Sequence, residues 1–461
     1  MRRRRTGASC QAASVLRNFI MSSFLQAAFS SSSALTRRSL AIVAVLLALA
    51  GCLGEDGSDS PYAQIRLLNV SPDYSSLDLY VNAGSSDTDS LKFQGVAFEV
   101  LSNYSKVDST VYNVKLKRNG VSSTLGTLSD EKQADDTHVT YVAYGATGKF
   151  GVLKINDDQT AANDKKTKVQ VLNVSQAGSL DVYLTDASVS LDDGTPQFAA
   201  VANGGTSSTG YLDSGTYRLR VVGTGDTSDL RLDVPEITLG NKDVVSLILT
   251  ATPGGVLVSA LVLPQKGSFT AKHNTKARVR GAVGVSTGVT ASIGGVTLLT
   301  GAGAGVISSR YALVDAGSAA ADLRVGGVAV PVASQQLAAG GDYTMLIWSN
   351  ADGVHLTAIG DNNSLPESGT AKLRVMNGLS GVDAPVTLAV DFSPVAEGIA
   401  DGQASGYTEF DTSSEYQLDV SDTNTTQPLV SKTSVALAAE SVYTLLVSGG
   451  ATAAGTLRKD R

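Results

Sequence analysis

The chain has 461 residues, more than one ordinary hydrophobic core accommodates, so several domains are expected. Charged residues are only 17%, Gly is frequent, and small Ser, Thr, Ala and Val residues dominate, a palette that favours short strands and tight turns over long helices. The net charge is −7 although the first 51 residues carry Arg2, Arg3, Arg4, Arg5, Arg17, Arg37 and Arg38 and no acid, so the remainder is markedly acidic and nucleic acid is disfavoured as a partner.

Residues 1–51 read as an export signal: Arg37 and Arg38 form a basic step, and SLAIVAVLLALAG then supplies an apolar run too short for a spanning helix. Met21 begins a signal of more usual length and is a candidate true start. Leu49-Ala50-Gly51-Cys52 resembles the lipobox of bacterial lipoproteins, which implies acylation at Cys52 and anchoring by several acyl chains. Thr36-Arg37-Arg38-Ser39-Leu40 faintly resembles a twin-arginine signal, but paired arginines are common there and the general secretory route is favoured. Leu53 is not the aspartate that resembles a retention signal for the inner membrane, so the outer membrane, facing periplasm or exterior, is the expected location. Cys10 leaves with the signal and Cys52 is acylated in this reading, so the domains are expected to rely on core packing without disulfides or thiolate metal sites. Residues 52–61 form a polar, acidic tether.

Beyond the tether the sequence repeats itself. IRLLNVSPDYSSLDLYV from Ile65 returns as VQVLNVSQAGSLDVYL from Val169, and in weaker form as ARVRGAVGVS from Ala277 and AKLRVMNGLS from Ala371. A second run follows each opening (SLDLYV, SLDVYL, GVTASI, PVTLAV), and two further runs close each unit, such as THVTYVAYG with FGVLKI and DYTMLIWSN with DGVHLTAIG. The runs alternate apolar and polar residues or are short and β-branched, and turn formers bound them, which predicts half-buried antiparallel strands. The expected fold is all-β: four tandem immunoglobulin-like β-sandwich domains, over 62–160, 166–265, 275–362 and 369–461, strung along the chain. Val169, Val171, Leu180 and Val182 are candidate core residues, with Asn173 and Ser175 near the turn. Tyr217 and Tyr416, each at a strand entrance, resemble the tyrosine corner of immunoglobulin-like domains and are expected to pack.

The AQIRLLNVSPDYSSLDLYV segment, with its N-x-S-P turn and L-D-L-Y strand, is similar to the opening of the bacterial domain of unknown function 4397 family, and Gly-Asp-Tyr-Thr at Gly341 to a later strand of it. The likeness is strong in the first two repeats and degenerate in the last two. It implies a repeated envelope-associated architecture and no particular reaction.

No catalytic constellation emerges. His138 and His355 fall on late strands and His273 in a linker, without a triad-like neighbourhood. GGVTLLTGAGAG from Gly294 lacks the lysine and the strand–loop–helix setting of a phosphate loop. Acidic clusters read as solvated turns; calcium at Asp157, Asp158 and Asp164, stiffening a linker, is the alternative, since the ion takes several oxygen ligands. No other cofactor is expected. Trp348, the single tryptophan, lies on a predicted core strand, which leaves little for a sugar platform. The resulting expectation is a non-enzymatic lipoprotein that presents its sandwiches for protein binding, adhesion or envelope organisation. A carbohydrate-binding lipoprotein is the alternative, and an exported hydrolase with an unrecognised site the second.

Overall fold

The computed structural model describes residues 60–83, 88–381, 385–422, 427–450 and 452–461. The expected signal, Leu49, Ala50, Gly51 and Cys52, and nearly all of the tether lie outside them. The described residues form β-strands and contain no helix.

One strand plan recurs four times. In the first sandwich the opening strand Tyr62–Asn69 pairs in parallel with the seventh, His138–Tyr144, and antiparallel with the broken fourth, Val100–Leu101 and Ser105–Asp108. The eighth strand, Gly151–Asn156, closes that sheet against the seventh. The facing sheet runs Ser90–Ala97, Ser76–Ala83, Val111–Arg118, Thr124–Lys132, which is the order 3-2-5-6. The other three sandwiches open with Lys166–Asn173, Lys276–Val283 and Thr370–Leu379. These lie parallel to Val244–Ala251, Asp342–Asn350 and Ser441–Gly449 respectively. The architecture is therefore all-β, in tandem β-sandwiches. Each has eight main strands with the first and seventh side by side, whereas constant-type immunoglobulin domains arrange seven strands as ABED and CFG.

Each sandwich has its own apolar filling. Val169, Val171, Leu180 and Val182 are all buried in the second core, together with Leu247 and Leu249 of the seventh strand. The third sandwich divides its filling into two smaller clusters, one built largely from Ala277, Val279, Ile293 and Met345 and the other from Val283, Val289, Ala291 and Leu323.

The outward faces of the opening and seventh strands are not wet. Leu68, Val70 and Val142 of the first sandwich meet Leu172, Val174, Ile248 and Leu261 of the second. Ala282 and Leu346 of the third meet Met376 and Leu446 of the fourth. Sheets thus stack face to face in the pairs one–two and three–four, and each fully buried Leu, Ile or Val contributes about 1.5–3 kcal/mol. For these strands alone this corrects the expectation of a wet face: Ser441–Gly449 is buried at every position, because a strand covered on both faces has no solvent side, whereas facing-sheet strands such as Val386–Val390 alternate as expected. Ser60–Arg461 is one compact unit, not a string. Backbone approach tightens it. A Cβ on Gly284 would lie 2.0 Å from the carbonyl oxygen of Gly378, so only glycine lets the third and fourth sandwiches touch there. Between the pairs, the turn at Gly254 donates to Gly340 O at 2.9 Å and accepts from Asn363 N at 3.0 Å.

Candidate functional site

The recurring N-x-S phrase is a brace. Asn173 is fully buried; its Nδ2 donates to Gly178 O at 2.8 Å and Val201 O at 2.9 Å, while its Oδ1 accepts from Ser175 Oγ at 2.7 Å. Asn69 makes the same bonds to Tyr74 O and Val96 O, and Asn377 to Ile399 O. The following L-D phrase holds two loops at once: Asp181 accepts from Ala200 N at 2.7 Å and Gly225 N at 2.9 Å, and Asp78 from Gly95 N and Asn119 Nδ2. Buried polar groups must be paired, and these side chains pair the carbonyls and amides where strands end.

A second recurring set gives no signal in the sequence. On the outward face of the first sandwich, Arg66 Nε donates to Thr140 Oγ1 at 2.7 Å and lies 3.6 Å from Asp157, which also accepts from Tyr104 at 2.7 Å. The third sandwich repeats this with Arg280, Thr344, Asp361 and Tyr311, and the fourth with Arg374, Thr444 and Asp460, where Tyr407 stacks on Arg374 and makes no bond to the carboxylate. In the second, Gln170 and Ser246 stand at the corresponding places and bond at 2.8 Å. The third and fourth sets interlock, since Arg280 reaches Asp460 and Arg374 reaches Asp361. Burial works against the charge of Asp361, but Arg374 and Arg280 outweigh it and hold the carboxyl below its ordinary range. Burial, then Asp361, lifts the Tyr311 phenol well above its usual value. The sets are neutralised internally, and their role is to join sheets.

The other residues singled out in the sequence are placed as follows. Asp157 belongs to the first of these sets. Asp158 lies 2.5 Å from Lys266 Nζ and 3.2 Å from His138 Nδ1, and Asp164 lies 3.5 Å from Lys242. Among the described residues no group of three or more His, Cys, Asp or Glu side chains that could hold a metal ion is found. His138 also meets Gln64 at 2.8 Å, His355 meets Asn350 at 2.8 Å, and His273 stands 3.7 Å from Glu99. Tyr217 and Tyr416 donate to Asp213 O and Asp411 O, closing corners four and five residues back. Tyr343 and Tyr443 close similar corners by accepting from Ala338 N and Ala438 N, which the sequence did not announce because their neighbours are apolar runs. Trp348 packs at the three–four interface, its ring 4.7 Å from that of His355.

The groups left for chemistry converge where sandwiches one, two and four meet the 362–367 segment. A cleft of about 280 Å³ there is lined by Lys149, Gln176, Asn362, Ser364, Lys372 and Tyr407, with Asp73, Glu367 and Glu409 also lining it and solvent-exposed. Lys372 is 5% exposed, and its amine meets only neutral oxygens in hydrogen bonds, Asn362 Oδ1 at 3.3 Å and Ser364 Oγ at 3.2 Å, beneath the Tyr407 ring. Burial, opposed by Glu409 and reinforced by Arg461, Lys149 and Arg374, pushes its amine down to about 8. Lys149 donates to the carbonyls of Leu365 and Pro366, and burial lowers it too. Behind the wall, Arg461 donates to Gly255 O and Asn363 O, each at 2.7 Å. In sequence Lys372 is an ordinary polar position in AKLRV; nothing in a two-residue period tells a solvent face from one covered by another sheet.

Eight main strands in a fixed order, repeated in tandem and braced by polar side chains of which each set recurs in two or three of the sandwiches, define a multi-sandwich β protein. Residues 63–183 match the family model described as Domain of unknown function (DUF4397). No curated protein matches the chain. Among solved structures it is similar to the CBM26-family module CBMbc of Eubacterium rectale Amy13K in complex with maltoheptaose. That likeness has 11% identity and a TM-score of 0.14, and covers 41% of this chain and 92% of that one. It is also similar to the Bacillus anthracis TIE protein, at 9% identity and a TM-score of 0.15, over 85% of this chain and 68% of that one. Neither likeness is close enough to say what this chain binds.

Proposed function

We propose that the protein is a non-enzymatic lipoprotein of the bacterial cell envelope, held in the outer membrane through Cys52, whose compact body of sandwiches binds a protein partner in adhesion or envelope organisation. The observation that carries the binding reading is where the polar side chains go. Those of the recurring motif brace the scaffold, as Asn173 and Asp181 do, while the inter-sandwich cleft is lined by residues of several repeats, Lys149, Gln176 and Lys372. A surface assembled from different repeats is rigid and not self-similar, which suits recognition. Membrane attachment follows from the lipobox resemblance, in which several acyl chains anchor where one does not.

The test is fractionation of cells expressing the chain and its Cys52→Ala variant with labelled palmitate. Label and membrane association in the parent, and loss of both in the variant, support the reading; membrane-bound, lipid-extractable Cys52→Ala protein overturns it. A glycan array addresses carbohydrate binding, which the exposed rings of Tyr211 and Phe392 favour. A serine-reactive probe addresses the hydrolase alternative.

A further inference from the structure

The cleft beside Lys372 has a polarity that a protein-docking surface does not require. Of its two lysines Lys372 is buried, at 5% exposed, and Lys149 is half-buried, and each amine bonds only neutral oxygens. Its three carboxylates, Asp73, Glu367 and Glu409, are exposed at the rim. Glu409 Oε2 is held by Glu367 N at 3.3 Å and Thr370 Oγ1 at 3.1 Å, so the rim charge is fixed in place. An ammonium has three donors, and Lys372 uses two of them on long bonds to Asn362 and Ser364. Among the described residues Lys372 makes no ion pair, since Glu409, opposite it on the neighbouring strand, acts only at longer range; an incoming carboxylate within hydrogen-bond reach would offset more of the cost of burying the cation.

We infer that this cleft binds a small zwitterion of amino-acid size, its carboxylate received by Lys372 and Lys149 and its ammonium by the rim carboxylates Glu409 and Glu367. The volume of about 280 Å³ lies at the small end of ligand clefts and suits such a molecule. The rim also selects: a dianion such as phosphate has to pass three carboxylates, whereas a zwitterion satisfies floor and rim together. Tyr407 stands over the amine and shields it from water, which strengthens the charge-assisted bond. Because burial pushes the Lys372 amine down to about 8, binding above that pH is coupled to proton uptake. The charged groups that act on this amine are Glu409, Arg461, Lys149 and Arg374. This inference is independent of the lipid anchor, and it gives the cleft on which the protein-binding reading rests a small ligand of its own, bound whether or not a protein partner docks there.

The experiment is calorimetric titration of the full chain with a panel of free amino acids, with propionate and with inorganic phosphate, between pH 7 and 9.5. The expected result is saturable binding of at least one amino acid, tighter than propionate, none of phosphate, and an enthalpy that changes with buffer ionisation above pH 8. Lys372→Met, with an unchanged melting profile as its control, is expected to weaken the amino acid about ten-fold or more. Glu409→Gln, a change at the exposed rim that leaves the core alone, is expected to weaken the amino acid and strengthen propionate. Equal or tighter binding of phosphate, full affinity in folded Lys372→Met, unaltered selectivity in Glu409→Gln, or no amino acid bound at millimolar concentration would each overturn the inference.

Discussion

Arg280 Nη1 lies 2.5 Å from Oδ1 of Asp460, a residue 180 positions further along and next to last in the chain. Both side chains are shut away from water, and Asp460 also accepts from Thr444 of its own sandwich at 2.6 Å. Asp460 therefore joins by charge two sandwiches that also meet through apolar packing. Disulfide-free domains were expected to rely on core packing; the stacked sheets add buried ion pairs.

Asp460→Asn is accordingly expected to destabilise the body by about 3–5 kcal/mol, because it leaves two buried guanidiniums, Arg280 and Arg374, to share the one carboxylate of Asp361. The double variant Arg280→Met with Asp460→Leu is expected to recover most of that loss, since an apolar pair needs no counter-charge. Urea unfolding followed by circular dichroism checks both, and a double variant as unstable as the single one would refute the pairing.

The brace at Asn173 predicts a smaller, local cost. Asn173→Ala leaves the carbonyls of Gly178 and Val201 without this donor in a buried place and is expected to lose about 1–3 kcal/mol. Asn173→Asp is expected to lose more, since it removes the same donor and buries a charge. Hydrogen exchange will show which protons open: protection should fall first at Ser175, whose amide bonds to the Asn173 side chain.

Asp342 makes stability depend on pH. Burial raises its carboxyl from 3.8 to about 7, against the pull of Arg278, and its Oδ1 has no hydrogen-bond partner. Between those values the folded chain holds a proton that the unfolded chain has released, so this group's contribution to stability falls as pH rises from about 4 to about 7 and is level above. Asp342→Asn is expected to remove that slope. Denaturation midpoints measured across the interval check it; an unchanged slope in the variant would assign the effect elsewhere.

How far the sequence reached depends on what each position faces. Val169, Val171, Leu180 and Val182 were legible because inward positions are apolar in any sandwich, and Tyr217 because a corner needs both a ring and a hydroxyl. Arg66, Arg280, Arg374 and Lys372 were not, because they occupy alternate polar positions that look wet until a second sheet, or for Lys372 the 362–367 segment, covers them. The parallel pairing of Tyr62–Asn69 with His138–Tyr144 was equally hidden, since no hairpin joins strands so far apart in sequence. The cleft at Lys372 follows from that stacking, so no single repeat contains it.

The joint between the third and fourth sandwiches carries its own reporter. Trp348 is the only tryptophan, and its Nε1 donates to Thr357 Oγ1 at 2.9 Å while Gly402 closes over its ring. Gly402 has φ +73°, and a Cβ there would lie 2.2 Å from Trp348 Cε2. Gly402→Ala thus combines a left-handed alanine, about 1–2 kcal/mol, with overpacking of about 1–3 kcal/mol against the indole. The expected outcome is a lower melting temperature together with red-shifted tryptophan emission as the ring is pushed toward water. Gly295→Ala separates the two terms, because Gly295 has φ +80° but nothing within 4 Å of the place a Cβ would occupy. It should cost only the backbone part and leave the emission unchanged. If Gly402→Ala matched Gly295→Ala in both readouts, the indole would not be confined at that joint, and the close contact between the two sandwiches would be refuted.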